Sequence, residues 1–249
     1  MSYILILLIF LFNLISKFWK IGEVPPLLNE SSFVLRLVSA SLSSVFPLLL
    51  YFFVRKISKS KKLALLSALI FSLLPQTFIE GRVVSFYLVP GSFEDQLPRF
   101  LPFSKFLRNF FTLTSPEVWL FQNIFFYWGG VRETGLIFFS LLPFLLSGLF
   151  YYLKKGFNFP FFSFIVILIF ISLSGSFPEN RLIFLTLPYI AVSIARGILI
   201  VGDTQKFAKV IIFILSFFLC LEMVFFYHFY FVHYPKQIID FSQNIKQPF

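Results

Sequence analysis

Charge is scarce in this sequence, at 13% of 249 residues, and acid is scarcer than base, with 11 Asp and Glu against 21 Lys and Arg. Because 58% of the residues are hydrophobic, a water-soluble globule of this length would lack the polar surface to cover itself. Lipid is therefore the expected solvent. The single cysteine, Cys220, lies inside an apolar run, which excludes a disulfide framework or a thiolate metal cluster within one chain. Histidine occurs only at His228 and His233, without the further ligands a metal site needs, so no metal is expected. There is no glycine cradle for nucleotide phosphates and no Walker-type stretch, which argues against a nucleotide-driven pump and leaves no organic cofactor implied.

What is abundant is apolar sequence in long runs with short charged punctuation, the pattern of bilayer-spanning helices and not of alternating barrel strands. The 41 Phe residues are spread through every apolar segment, which reads as compositional bias. The fold class expected is all-α, a polytopic transmembrane helical bundle forming one integral membrane domain over residues 1–249. About seven spans are predicted: Tyr3 to Ile15, Phe33 to Val54, Leu63 to Ile79, Leu136 to Leu153, Phe159 to Leu173, Leu182 to Ile200 and Val210 to Phe231. No basic region precedes the first run and no small-residue cleavage site follows it, so it reads as a retained helix rather than a removable signal.

Basic residues sit between the runs. Arg55, Lys56, Lys59, Lys61 and Lys62 occur without one acid, which places that loop in the cytoplasm. Lys154 and Lys155, then Arg196, Lys206 and Lys209, fall on the same side, while Lys17 and Lys20 fall outside. The expected location is the cell membrane, multi-pass, with the amino terminus cytoplasmic and the carboxyl terminus outside. The net charge of +10 thus reports topology; the basic residues are not clustered with the aromatic platforms of a nucleic-acid groove, and no nucleic-acid partner is expected.

Most acids fall outside in this scheme, and outer loops accept them freely because they scarcely influence insertion. The outer loop 80–133 is too polar to span and too rich in Phe, Leu and Trp to float in water, so it is expected to lie on the membrane. Phe100 to Leu113, with Lys105 and Arg108 among phenylalanines, predicts a basic amphipathic surface helix, and Glu117 to Trp128 a second. Glu222 falls inside a span, where a charged carboxylate facing lipid costs about 2.5 kcal/mol or more, so it faces the bundle or is protonated.

Several stretches in order resemble one family. GEVPPLLNE at 22–30 is similar to a first outer loop with Gly, Pro-Pro and an acidic pair; Asn29 and Glu30 occupy the pair. RLVSASLSSVFPLLLYFFVRK at 36–56 and LALLSALIFSLLPQTFIEGR at 63–82 resemble the two following helices, and Arg82 matches an outer arginine. TSPEVWLF at 114–121, GLIFFSLLPFLLSGLFYYLKK at 135–155, PENRLIFLTLPYIAVSIARGI at 178–198 and HFYFVHYPKQ at 228–237 continue the series. Together they resemble the GT-C superfamily of membrane glycosyltransferases, in its protein mannosyltransferase-like and aminoarabinose-transferase-like branch. The chain departs from the larger members between Glu30 and Arg36, where the family has an acceptor-side loop.

The resemblance implies a glycosyltransferase that moves a sugar from a polyprenyl-phosphate-linked donor to an acceptor hydroxyl at the outer face, with inversion and without metal. Such a reaction needs a carboxylate to take the acceptor proton and cations to stabilise the departing phosphate. Glu30 stands where the family places its acidic motif, with Glu23 as the second catalytic candidate. Arg82, Arg181 and Arg132 are the phosphate candidates, since a guanidinium holds phosphate oxygens in a fork. The competing readings for these residues are a helix-start acid favoured by the macrodipole and arginines reaching to lipid headgroups. For the whole chain the alternatives are a non-catalytic shortened relative that binds polyprenyl lipid or scaffolds a partner, and a small transporter using Glu222.

Overall fold

Ten α-helices occur among the residues that the computed structural model describes, which are 2–21, 31–82, 103–120, 135–155, 159–173, 185–204, 207–233 and 235. They are α1 (Ser2–Phe18), α2 (Ser31–Ser58), α3 (Lys61–Leu73), α4 (Pro75–Arg82), α5 (Phe103–Thr114), α6 (Pro116–Leu120), α7 (Leu142–Lys154), α8 (Phe159–Ser172), α9 (Leu187–Thr204) and α10 (Ala208–His228). A 3-10 turn at Phe139–Leu141 leads into α7, and a π turn at Phe229–His233 prolongs α10. No strand occurs among the described residues.

A helix lies at each position where a span is expected, but their lengths differ. Among the described residues, Arg36–Ser58 and Ala208–His233 are long and apolar enough to cross a membrane by length and composition. Ile4–Phe18, Phe139–Lys154 and Phe161–Ser172 are shorter apolar helices. The run from Leu63 to Ile79, expected as one helix, is two. Leu74 adopts an extended ψ of 132°, because the ring of Pro75 pushes the preceding residue out of the helical region.

Prolines also release carbonyls, and the fold answers each one. Pro75 has no N–H for the Phe71 carbonyl four residues back, and Thr77 Oγ1 donates to that oxygen at 2.6 Å and to the Leu74 oxygen at 2.8 Å. Pro47 inside α2 likewise withholds a partner from the Ser43 carbonyl. Lys17 reaches across from the last turn of α1, and its Nζ donates to Ser43 O at 3.0 Å. Ser60 starts α3 by accepting from the Leu63 N–H at 3.2 Å, while Lys59 takes the left-handed φ of 56° that ends α2.

The tightest crossing is between α7 and α9, where main chain meets main chain. A Cβ placed on Gly148 would lie 1.8 Å from the Ser193 carbonyl oxygen, and one on Gly197 would lie 1.8 Å from the Phe144 carbonyl oxygen. Glycine at both positions is what lets the helices close, as small residues do between helices in lipid. Helix α3 packs on α9 and α2 packs on α3, with Tyr51, Leu63, Ala64, Ile190, Ala191 and Ile194 buried. By contrast α10 stands at the periphery and exposes Phe213, Phe217, Val224 and Phe225, while Cys220 is exposed too.

Glu222 fastens α10 to the start of α7. Its carboxylate accepts from the Ser140 N–H, at 3.1 Å to one oxygen and 3.3 Å to the other, and from the Ser140 hydroxyl. The acid in the apolar run is thus matched by donors in the turn that opens α7, where orphan N–H groups are available. Helix α5 covers the end of α8: Asn109 is buried and its Nδ2 donates to Ser172 O at 3.1 Å, while Phe103, Arg108 and Phe111 are exposed. This helix falls within the expected amphipathic stretch.

Candidate functional site

Three separate helices bring basic side chains to one end of the bundle. α1 contributes Lys17, α2 contributes Arg36 and α4 contributes Arg82, all three buried, against the Tyr230 that the π turn places there. Helices α1, α2 and α3 contain no acid at all, and α4 contains one, Glu80.

Arg82 is the centre of the cluster. Its Nη1 donates to the carbonyls of Ser16 at 3.2 Å and Lys17 at 2.7 Å, and also to that of Trp19. These are carbonyls at the C-terminus of α1, which that helix cannot satisfy itself, and a guanidinium there meets the negative end of the helix dipole. The guanidinium carbon also lies 5.4 Å from the Phe78 ring centre, 5.5 Å from that of Tyr230 and 5.2 Å from that of Phe231. Arg82 thereby ties the C-terminal end of α1 and the turn that prolongs α10 to α4. The Tyr230 hydroxyl is within electrostatic reach of both Arg82 and Arg36.

Of the residues expected to carry chemistry, Arg82 is placed at this positive end. Glu23, Glu30, Arg132 and Arg181 lie outside the described residues. Lys17 and Arg36 were not among the sequence candidates. Lys17 is expected at the interface and instead is only 2% exposed, turned inward to the carbonyl that Pro47 frees. The available signal was that proline, which guarantees an unmet acceptor four residues earlier in an otherwise apolar helix. His228 and His233 place their ring centres 5.3 Å apart, and no group of three His, Cys, Asp or Glu suited to a metal occurs among the described residues.

The apolar helices, with large hydrophobic side chains exposed along α1, α2 and α10, define a helical membrane protein. Residues 3–88 match the family model for dolichyl-phosphate-mannose-protein mannosyltransferase, a glycosyltransferase domain of the GT-C type. The matched stretch contains α1 to α4 with Lys17, Arg36 and Arg82. No curated protein and no solved structure matches the chain.

Proposed function

We propose that this chain transfers a sugar from a polyprenyl-phosphate-linked donor to an acceptor hydroxyl at the outer membrane face. Glu30, with Glu23 in reserve, takes the proton as the acceptor oxygen attacks the anomeric carbon. The bond from that carbon to the phosphate oxygen breaks with inversion, and the lipid phosphate leaves with the electron pair. Arg82, Arg181 and Arg132 stabilise its charge, so the reaction needs no metal. Arg82 has a second part, because it holds the end of α1 from which the segment carrying both glutamates begins. In this reading the chain is multi-pass with a cytoplasmic amino terminus, and the loop 80–133 lies on the outer membrane surface.

One observation carries this reading. The segment matched to the mannosyltransferase family is the segment that gathers Arg82, a phosphate candidate, with Lys17 and Arg36 at one end of the bundle. The engagement of Glu222 with Ser140 gives that acid a structural role, which weighs against a transporter built on it.

The test is transfer by purified protein in vesicles that hold radiolabelled polyprenyl-phosphate sugar and an acceptor pool. The expected result is transfer that falls by about a hundredfold or more in Glu30→Gln, with lipid binding unchanged. Transfer unaltered by that substitution removes Glu30 from the mechanism. No transfer by either form, with lipid still bound, replaces the enzyme by a lipid-binding scaffold.

A further inference from the structure

Between α2, α3, α7 and α9 lies an open-sided groove of about 940 Å³. Its walls are apolar, and Leu49, Phe53 and Ile57 of α2 are exposed along one edge. It follows α2 from Phe46 to Ser58, a length of about 18 Å at the helical rise of 1.5 Å per residue. That is close to half of the ~30 Å hydrocarbon core, the depth of one leaflet.

The groove closes on cations. The Arg196 guanidinium carbon is 4.9 Å from the Tyr151 ring centre, and Lys155 Nζ is 5.0 Å from the same ring centre. Arg196 also reaches the Tyr152 hydroxyl. The shared ring attracts each cation but leaves both charges in place, and two like charges gathered on one ring repel. Among the described residues no Asp or Glu lines the groove. The turn between α2 and α3, beside the lining residues Ser58 and Leu63, adds Lys59, Lys61 and Lys62, while Asp203 stands two turns beyond Arg196 at the end of α9. Basic pockets between membrane helices take anionic headgroups by this chemistry.

We propose that the groove binds an anionic glycerophospholipid from the leaflet at this end of the bundle. The phosphate sits between Lys155 and Arg196, and an acyl chain lies along α2 toward Phe46. The depth of the groove selects this occupant, since a polyprenyl chain is far longer than one leaflet. The site is separate from the Arg82 cluster and does not rest on the transferase reading.

Spin-labelled phosphatidylglycerol and phosphatidylcholine, each added to vesicles holding the full chain, test it by the fraction of label that the protein immobilises. Wild type is expected to hold phosphatidylglycerol about tenfold more strongly than phosphatidylcholine, and K155Q/R196Q to reduce that ratio to about one. Leu49→Trp, which fills the groove and keeps both cations, is expected to release both lipids while the melting temperature stays constant. Equal retention of the two lipids by wild type overturns the proposal. So does a preference that survives K155Q/R196Q, or displacement of phosphatidylglycerol by an equimolar polyprenyl phosphate.

Discussion

The two cationic regions of this protein use the same residue types to opposite ends. At the Arg82 end two positive side chains point into the bundle and meet main-chain oxygen: α1 carbonyls for Arg82, the carbonyl freed by Pro47 for Lys17. Around Arg196 and Lys155 the cations sit at the mouth of a groove and share an aromatic ring. A buried cation matched to a carbonyl helps hold the scaffold, and its removal leaves the carbonyl unmet. A cation at an open mouth rests on aromatic side chains and is available to a ligand on its open side. Position relative to unmet acceptors, not residue type, separates the two.

The largest break in that contrast comes from Arg82→Met. Losing the donor to three carbonyls and the contacts with three rings is expected to cost about 3–5 kcal/mol, seen as a large fall in melting temperature in detergent. A melting temperature within a degree of wild type would return Arg82 to the surface arginines. Next is Lys17→Met, expected to cost about 1–3 kcal/mol by leaving Ser43 O unmet. Pro47→Ala restores an N–H to that carbonyl, so in the double variant the Lys17 loss is expected to shrink by about 1 kcal/mol. Strict additivity would show that the two residues do not share the Ser43 acceptor.

Thr77→Val is expected to cost about 1–2 kcal/mol, because the Phe71 carbonyl loses the hydroxyl that replaces the missing proline N–H. Urea or thermal titration of the purified variant reads this directly. The smallest effect is expected at the other end. K155Q/R196Q removes two charges yet strands no carbonyl, so in neutral detergent stability is expected to stay within about 0.5 kcal/mol. A fall as large as that of Arg82→Met would make the two regions alike and erase the distinction.

Much of the helical order is legible in the sequence because apolar run length and basic punctuation are local signals. The α2 and α10 helices follow from it, as does the basic turn that Ser60 caps. The Leu63 to Ile79 run was read as one element because hydropathy averages over Pro75, whose effect on Leu74 is steric and independent of polarity. The inward turn of Lys17 is hidden for a similar reason: its partner is a main-chain oxygen on another helix, which no side-chain pattern displays. Glu222 looked isolated because sequence shows no cation nearby, whereas its partners are an N–H and a hydroxyl of Ser140, 82 positions away. Of the candidate site, the sequence supplied Arg82 and missed Lys17 and Arg36, while the glutamates and the other two arginines lie outside the described residues.

The glycine crossing of α7 and α9 has a consequence for the lipid groove. Packed interfaces ordinarily keep some slack, because side chains can change rotamer and let their helices slip by a few tenths of an ångström. At Gly148 and Gly197 there is no side chain to move, so backbone rests on backbone and the two helices share one longitudinal setting. Arg196, one residue before Gly197, inherits that setting, as do Tyr151 and Tyr152 one turn beyond Gly148. One wall of the groove is in this way a rigid template whose charged rim stands at a fixed height, and the tail of any molecule that lodges there adapts to it.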